Sequence, residues 1–243
     1  MTEIKSLTVP RTVPALLSFV AGYVDSITYL GLFGIFVAQM TGSYVLAGTN
    51  FVAQEHGLAI KLLAIPVFFL AGAVAAAVAI VAGGRGWRAL VCVMGLECAL
   101  LSGFATILLL HELPGVDAAS VRGAAFLGLA AMGVQSAMVR LQMNGVLSTN
   151  VMTTNTTQIA VDCAVLLIAG LSRDADAAAR TARERLAGAL PIVAGFLSGT
   201  LFGAWAFSLA SYATVLIPVA VAYLILGWMI RKSLGTAAAS DPI

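Results

Sequence analysis

Residues 40–50 read MTGSYVLAGTN, and residues 152–162 read MTTNTTQIAVD. Each stretch opens on hydroxyl, amide or glycine groups, and each sits among long apolar runs. After Thr41-Gly42-Ser43, only Tyr44 to Ala53 is hydrophobic, apart from Thr49 and Asn50. After Thr153-Thr154-Asn155-Thr156-Thr157, the apolar run Ile159 to Leu171 is interrupted by Asp162. Neither makes a comfortable lipid-facing helix. Irregular backbone is tolerated at membrane depth only where protein or a water-filled cavity surrounds it. The two segments therefore predict short or broken helices inside a membrane protein, with the polar cluster breaking the chain at membrane depth and a short helix following it.

The rest of the chain agrees. Its 243 residues are 60% hydrophobic and 10% charged, with a mean hydropathy of +1.01, where a soluble domain carries about 25% charged residues. The apolar residues come in blocks and do not alternate, which predicts spanning helices and not an outer-membrane barrel. Leu62 to Gly83, Ala89 to Leu110, Leu190 to Leu209 and Tyr212 to Ile230 approach or exceed the roughly 20 residues that a crossing needs. Val13 to Phe33 and Val121 to Val139 are long enough too, but carry Asp25 and Gln135 near their middles. The expected fold is an all-α integral membrane protein with about six spanning helices and two short or broken ones. It forms one membrane domain over residues 13–232, with tails at 1–12 and 233–243.

A net charge of +2 is too small to suggest nucleic-acid binding; the bilayer is the expected partner. The first apolar block lacks a small-residue cleavage site, so a removed signal peptide is not expected. Cys92, Cys98 and Cys163 lie inside apolar blocks and read as buried thiols. His56 and His111, beside Glu55 and Glu112, read as interface residues, and no metal or cofactor motif is present.

Loop charges bear on the topology. If the two odd segments dip into the membrane and return, the chain crosses six times. Lys5, Arg11, Arg85, Arg88, Arg140, Arg173, Arg180, Arg183, Arg185, Arg231 and Lys232 then share one face, against Lys61 and Arg122. If both cross fully, the chain crosses eight times with nearly the same bias. Both versions place the termini in the cytoplasm of a bacterial inner membrane, and charge does not separate them. The stretch SRDADAAARTARERL (172–186) is expected to form a short cytoplasmic helix.

The chain also reads as duplicated. Gly22-Tyr-Val-Asp-Ser resembles Gly133-Val-Gln-Ser, Ala38-Gln-Met-Thr-Gly-Ser aligns with Asn150-Val-Met-Thr-Thr-Asn, and Phe69-Leu-Ala-Gly matches Phe196-Leu-Ser-Gly. The order and spacing are preserved, giving repeats at about 13–111 and 121–232. Duplicated halves are a recurring plan of secondary transporters, whose sites lie near the bilayer midplane where discontinuous helices meet. An odd number of crossings per half makes the repeats inverted.

With these residues in view, FVAGYVDSITYLGLFGIFVAQMTGSYVLAG resembles the opening of YoaK-type proteins, bacterial multi-pass membrane proteins classed as a domain of unknown function. The resemblance rests on Gly-Tyr-x-Asp at 22–25 and Met-Thr-Gly at 40–42, and extends over nearly the whole chain. It implies about six membrane helices and a transport role, with no established substrate. The family's second-half motif commonly reads Thr-Gly, where this chain has Thr153-Thr154.

Ionisable groups in hydrocarbon cost at least about 2.5–3.5 kcal/mol on insertion scales, so each needs an explanation. Asp25 shares a helical stripe with Ser18, Gly22 and Tyr29, and reads either as a proton-titrating or substrate-contacting carboxylate or as a buried group bonded to Tyr29 or a neighbouring hydroxyl. Thr154, Gln158 and Asp162 form a second stripe, joined by Asn155. Ser43 aligns with Asn155, and Asn50 with Asp162. Helices starting at Thr41, Gly42 and Ser43 and at Thr153 and Asn155 would expose free N–H groups able to receive an anion or carbonyl oxygen. Two such ends facing each other, with Gln135 nearby, would form a midplane site for a small polar or anionic solute. Glu97 is a further candidate proton site, and Arg140 a snorkelling residue. Gly195, Gly199 and Gly203 form a small-residue seam, either internal or a homo-oligomer interface.

A secondary transporter or permease, with proton coupling as an option, is thus the leading expectation. A membrane-embedded enzyme or an accessory scaffold protein are the alternatives.

Overall fold

The computed structural model describes residues 9–53, 57–143, 146–171 and 176–238, and every regular element among them is helical. The helices are α1 (Thr12–Gly31), α2 (Met40–Ala53), α3 (Leu58–Val81), α4 (Trp87–Leu110), α5 (Ala119–Gln142), α6 (Met152–Leu171), α7 (Asp176–Ala210) and α8 (Leu216–Ala238). Five stretches are long and apolar enough to cross a membrane. The last of them, 177–236, holds both α7 and α8, separated by a 3-10 turn at Ser211–Val215 that Ser211 opens with φ 47°. Outward-facing side chains such as Phe69, Leu70, Leu201 and Leu224 are apolar and exposed, as a lipid-facing surface requires. This is an all-α membrane protein.

Helix directions follow from which residues meet. A Cβ on Gly195, Gly199 or Gly203 would strike the backbone oxygens of Ala15, Phe19 and Tyr23 respectively. Both series rise in steps of four, so α1 and α7 run in the same direction with their backbones touching. Gly22 completes the seam, facing the Phe196 carbonyl and Thr200. The glycine seam therefore lies inside the subunit. It is covered by α1 and is not available as the homo-oligomer interface that the sequence left open.

α3 and α5 pair likewise. A Cβ on Gly133 would sit 2.8 Å from the Phe68 oxygen, and one on Gly72 would face Ala137 at 3.9 Å. α5 opposes α1. Gln135 reaches the Leu17 carbonyl at 3.1 Å, while Val37, bonded to Asp25, lies 3.3 Å from the Cβ position of Gly128. Climbing α1 from Leu17 to Asp25 thus descends α5 from Gln135 to Gly128. α4 opposes α5, since Gly103 faces Leu127 and Gly123 faces Ile107. α8 opposes α4, with Trp87 against Trp228 and Ser102 bonded to Tyr223. In sum, α1, α4 and α7 run one way and α3, α5 and α8 the other.

α1 ends in a left-handed turn, with Leu32 N–H bonded to the Thr28 oxygen at 2.8 Å and positive φ at Phe33 (58°) and Gly34 (77°). Glycine adopts that conformation without penalty; phenylalanine does not. The chain then folds back until Val37 and Ala38 lie beside Asp25, about two-thirds of the way along α1. From there α2 runs beside α3 to Gly57, which packs on Val116 of the α4–α5 link. α2 thus spans only part of the depth and returns to the face that α1 had reached. The second half does the same from the other side. Thr149 and Asn150 lie beside Gln135, and α6 leaves from that depth toward the face where α7 begins.

The six-crossing arrangement is the one adopted. Three expectations need revision. The polar clusters do not break the chain; they sit in the first turns of α2 and α6, and the breaks come just before them. α6 is also not short. Its 20 residues rise about 30 Å, and because it starts at partial depth its end extends beyond the first face. The basic stretch there is not a separate helix either: from Asp176 it forms the opening turns of the 35-residue α7. α8 runs on to Ala238, past Lys232.

Candidate functional site

Asp25 is 2% exposed. Its Oδ1 accepts from the N–H groups of Val37 at 2.8 Å and Ala38 at 2.7 Å. A chain that turns back at membrane depth leaves amides with no water to bond, and a carboxylate on the neighbouring helix satisfies two at once. Oδ2 is buried and makes no close hydrogen bond, though the Gln39 side chain interacts with the carboxylate. Asp25 also lines a cleft of about 280 Å³, together with Ser26 and Tyr29 of α1, Phe36 and Gln39 of the turn, and Thr200 and Ala204 of α7. Tyr29 makes no bond to Asp25; it is 52% exposed and packs on Phe36 at 5.1 Å between ring centres. Ser26 spans to α7 by donating to the Thr200 oxygen at 2.9 Å. The stripe read from the sequence therefore divides. Asp25 serves the turn, Gly22 the seam, and Ser18 donates to the Thr149 oxygen at 3.0 Å.

Gln135 holds the second break. Its Nε2 donates to the Leu17 oxygen, Thr149 Oγ1 and Asn150 Oδ1 at 3.1, 3.1 and 3.2 Å. Ser43 and Asn155 play matching parts one turn into α2 and α6. Ser43 Oγ donates to the Phe36 oxygen at 3.1 Å and Asn155 Nδ2 to the Ser148 oxygen at 2.7 Å, each reaching seven residues back. These four side chains fix both chain reversals.

Asp162 is fully buried, and Arg185 of α7 grips it from Nε at 2.9 Å and from a terminal nitrogen as well. Gln158 adds a bond at 3.0 Å. Since α6 packs on no other helix among the described residues, this cluster is its main polar tie. Replacing Arg185 with glutamine leaves the buried carboxylate without its cation. Amide exchange across 152–171 is expected to accelerate while exchange in α1 stays unchanged. Equal exchange in the variant and the parent would show that packing alone holds α6.

The remaining candidates scatter. Thr41, Thr153 and Thr154 are exposed, and Gly42 sits against the Phe36 ring. Asn50 lies on α2 but its side chain is outside the described residues, as are Glu55 and His56. Glu97 is fully buried, with neither carboxylate oxygen bonded. Phe104 meets the Cβ position of Gly128; two helical turns back along α4 and two turns on along α5 lie Glu97 and Gln135, on one level. Gln135 Oε1 and Asn150 Nδ2 are also unbonded there. Among the described residues α2 and α6 do not touch; Asp25 lines one cleft, and Gln158 and Arg185, the partners of Asp162, line another. The expected meeting of two helix ends in one pocket is replaced by two separate polar clusters.

Sequence reasoning passed over Thr149, Gln39 and Arg185 as site residues. Gln39 precedes the Met-Thr-Gly motif directly and could have been drawn in; nothing local marks Arg185.

Fold and site together define a polytopic α-helical membrane protein with two partial-depth helices, each held by a buried polar side chain on a crossing helix. A model for a family of proteins of unknown function, DUF1275, matches residues 13–228, and the chain belongs to that family. No curated protein and no solved structure matches it.

Proposed function

We propose that this protein is a small permease of a bacterial inner membrane that moves a small polar solute, with protons coupled through Asp25. The observation that carries this reading is the divided carboxylate. One oxygen holds the turn that leads into α2, the other is buried without a hydrogen bond, and Asp25 lines a cleft wide enough for a small molecule. A proton or a solute donor arriving at Oδ2 draws on the same charge that secures the two amides, so occupancy of the cleft and the position of α2 are linked. The anionic part of the sequence expectation narrows here, because Asp25 is itself a carboxylate at the cleft and already occupies the Val37 and Ala38 amides of the turn before α2. A solute offering hydrogen-bond donors or positive charge suits the cleft better.

Two inverted repeats, about 13–111 and 121–232, fit this reading. α1 pairs with α7 as α5 pairs with α3, and Ser43 and Asn155 make the same seven-residue back-bond. Cytoplasmic termini follow from Arg11, Arg85, Arg88, Arg140, Arg231 and Lys232 on the face where α1 begins, against Lys61 and Arg122 opposite.

Purified protein in liposomes carrying an internal pH dye tests the reading. Amines, amino acids and sugars are supplied in turn, with empty vesicles as control. Solute-dependent proton entry is expected, and Asp25→Asn should abolish the proton movement while the protein still folds. No uptake above empty vesicles would favour a scaffold or an enzyme. Uptake indifferent to pH and to Asp25→Asn would remove the coupling.

A further inference from the structure

Because α2 begins at partial depth, the space beneath it on the flank of α3 and α5 is filled by no helix. A groove of about 720 Å³ lies there, with Met40 and Tyr44 at its α2 rim, Phe68, Gly72 and Ala73 along α3, and Arg140 on α5. Its walls are mostly apolar, the polar groups besides Arg140 being Tyr44 at the α2 rim and Ser136 one turn from Arg140. Arg140 is exposed and makes no hydrogen bond or ion pair among the described residues. It stands one half-turn from Gln142, whose amide bonds to Gly84 in the α3–α4 link at 2.8 Å, so it lies at the membrane surface where headgroups sit. From Arg140 back to Gly133 the groove follows seven residues of α5, a rise of about 10 Å, toward the membrane interior.

We propose that this groove is a binding site for an anionic phospholipid, whose acyl chain lies along Phe68, Gly72 and Ala73 and whose phosphate pairs with Arg140. The shape requires an apolar tail entering sideways from the bilayer, since the walls offer a polar solute almost no partners. The charge selects the headgroup. A planar guanidinium takes phosphate oxygens two at a time, and a zwitterionic lipid brings its own cation to compete. The corresponding flank beside α1 and α7 carries Leu30 near its end, so only the Arg140 side offers the charge. This site is distinct from the Asp25 cleft and does not depend on the transport reading.

The test is lipid binding to the full-length protein in detergent, read by native mass spectrometry and by melting temperature. The probes are phosphatidylglycerol and phosphatidylcholine of matched chains, with glycerol phosphate as the headgroup alone. Phosphatidylglycerol is expected to bind about tenfold more tightly than phosphatidylcholine, a difference of about 1.4 kcal/mol. Arg140→Gln should erase that preference, Arg140→Lys should retain most of it, and Ala73→Phe, which fills the tail path, should weaken both lipids. The lysine and phenylalanine variants decide the matter even if the glutamine variant fails to fold. Equal binding of the two lipids, a preference that survives Arg140→Gln, or equal stabilisation by glycerol phosphate alone would each overturn the assignment.

Discussion

Replacing Gly199 with leucine is expected to unfold the protein or cost it about 3 kcal/mol or more, the upper range for overpacking a well-filled interior. A Cβ at this position collides with the Phe19 backbone oxygen and presses on its carbonyl carbon and Cα. Backbone cannot swing aside as a side-chain tip can, so α1 and α7 would have to separate. The loss would spread along the seam through Gly195 and Gly203, which depend on the same approach. Between helices in lipid there is little hydrophobic gain to compensate, because close packing is itself the main attraction. Gly227→Ala is the matched control. It is also helical, but a Cβ there meets nothing within 4 Å, so a small gain of up to about 1 kcal/mol is expected from helix propensity. Unfolding in mixed detergent reads both variants. Equal stability of Gly199→Leu and the parent would mean that the α1–α7 contact is looser than described.

Asp25→Ala carries the second large effect. It leaves the Val37 and Ala38 amides buried without an acceptor, a penalty of about 2–6 kcal/mol for the two. Asp25→Asn keeps an oxygen in place for them and should lose far less. The contrast separates two duties of one residue: alanine tests the anchoring of α2 and asparagine tests the charge. If both variants melt alike and near the parent, the two bonds contribute nothing to holding the reversal. Exchange of the 36–40 amides gives the local reading, since only the alanine variant should expose them.

The crossings were legible because a run such as Ala89 to Leu110 has a single physical outcome in a chain this apolar. The partial-depth helices were legible for the opposite reason: polar clusters at Thr41 and Thr153 forbid an ordinary lipid-facing span. Partner choice was not legible. Gly195, Gly199 and Gly203 announce that a backbone comes close, but not which one, and Ala15, Phe19 and Tyr23 bear no mark of being that backbone. Asp162 finds its cation 23 residues away, in a stretch whose arginines read as loop charges. One of the two readings of Asp25 had it bonded to Tyr29 or a neighbouring hydroxyl; Oδ1 bonds backbone instead, which sequence cannot distinguish because every residue offers an amide. The position of each break was misplaced by a few residues because a helix can begin on hydroxyl side chains as readily as end on them. Phe33-Gly34, where the chain does turn, carries a weaker signal.

α7 deserves a mechanical reading. At 35 residues it is about 52 Å long, while the hydrocarbon it crosses is about 30 Å thick. One portion is clamped to α1 at three points; the other projects past the membrane surface and grips α6 through Arg185. Pro191 stands between the two, lacking the N–H that would stiffen the rod at that point. Such a part is a lever with its fulcrum at the water boundary. A sideways pull on its free arm shifts α6 directly and leaves the clamped arm still, so whatever grasps that arm gains a handle on the protein's interior without entering the bilayer.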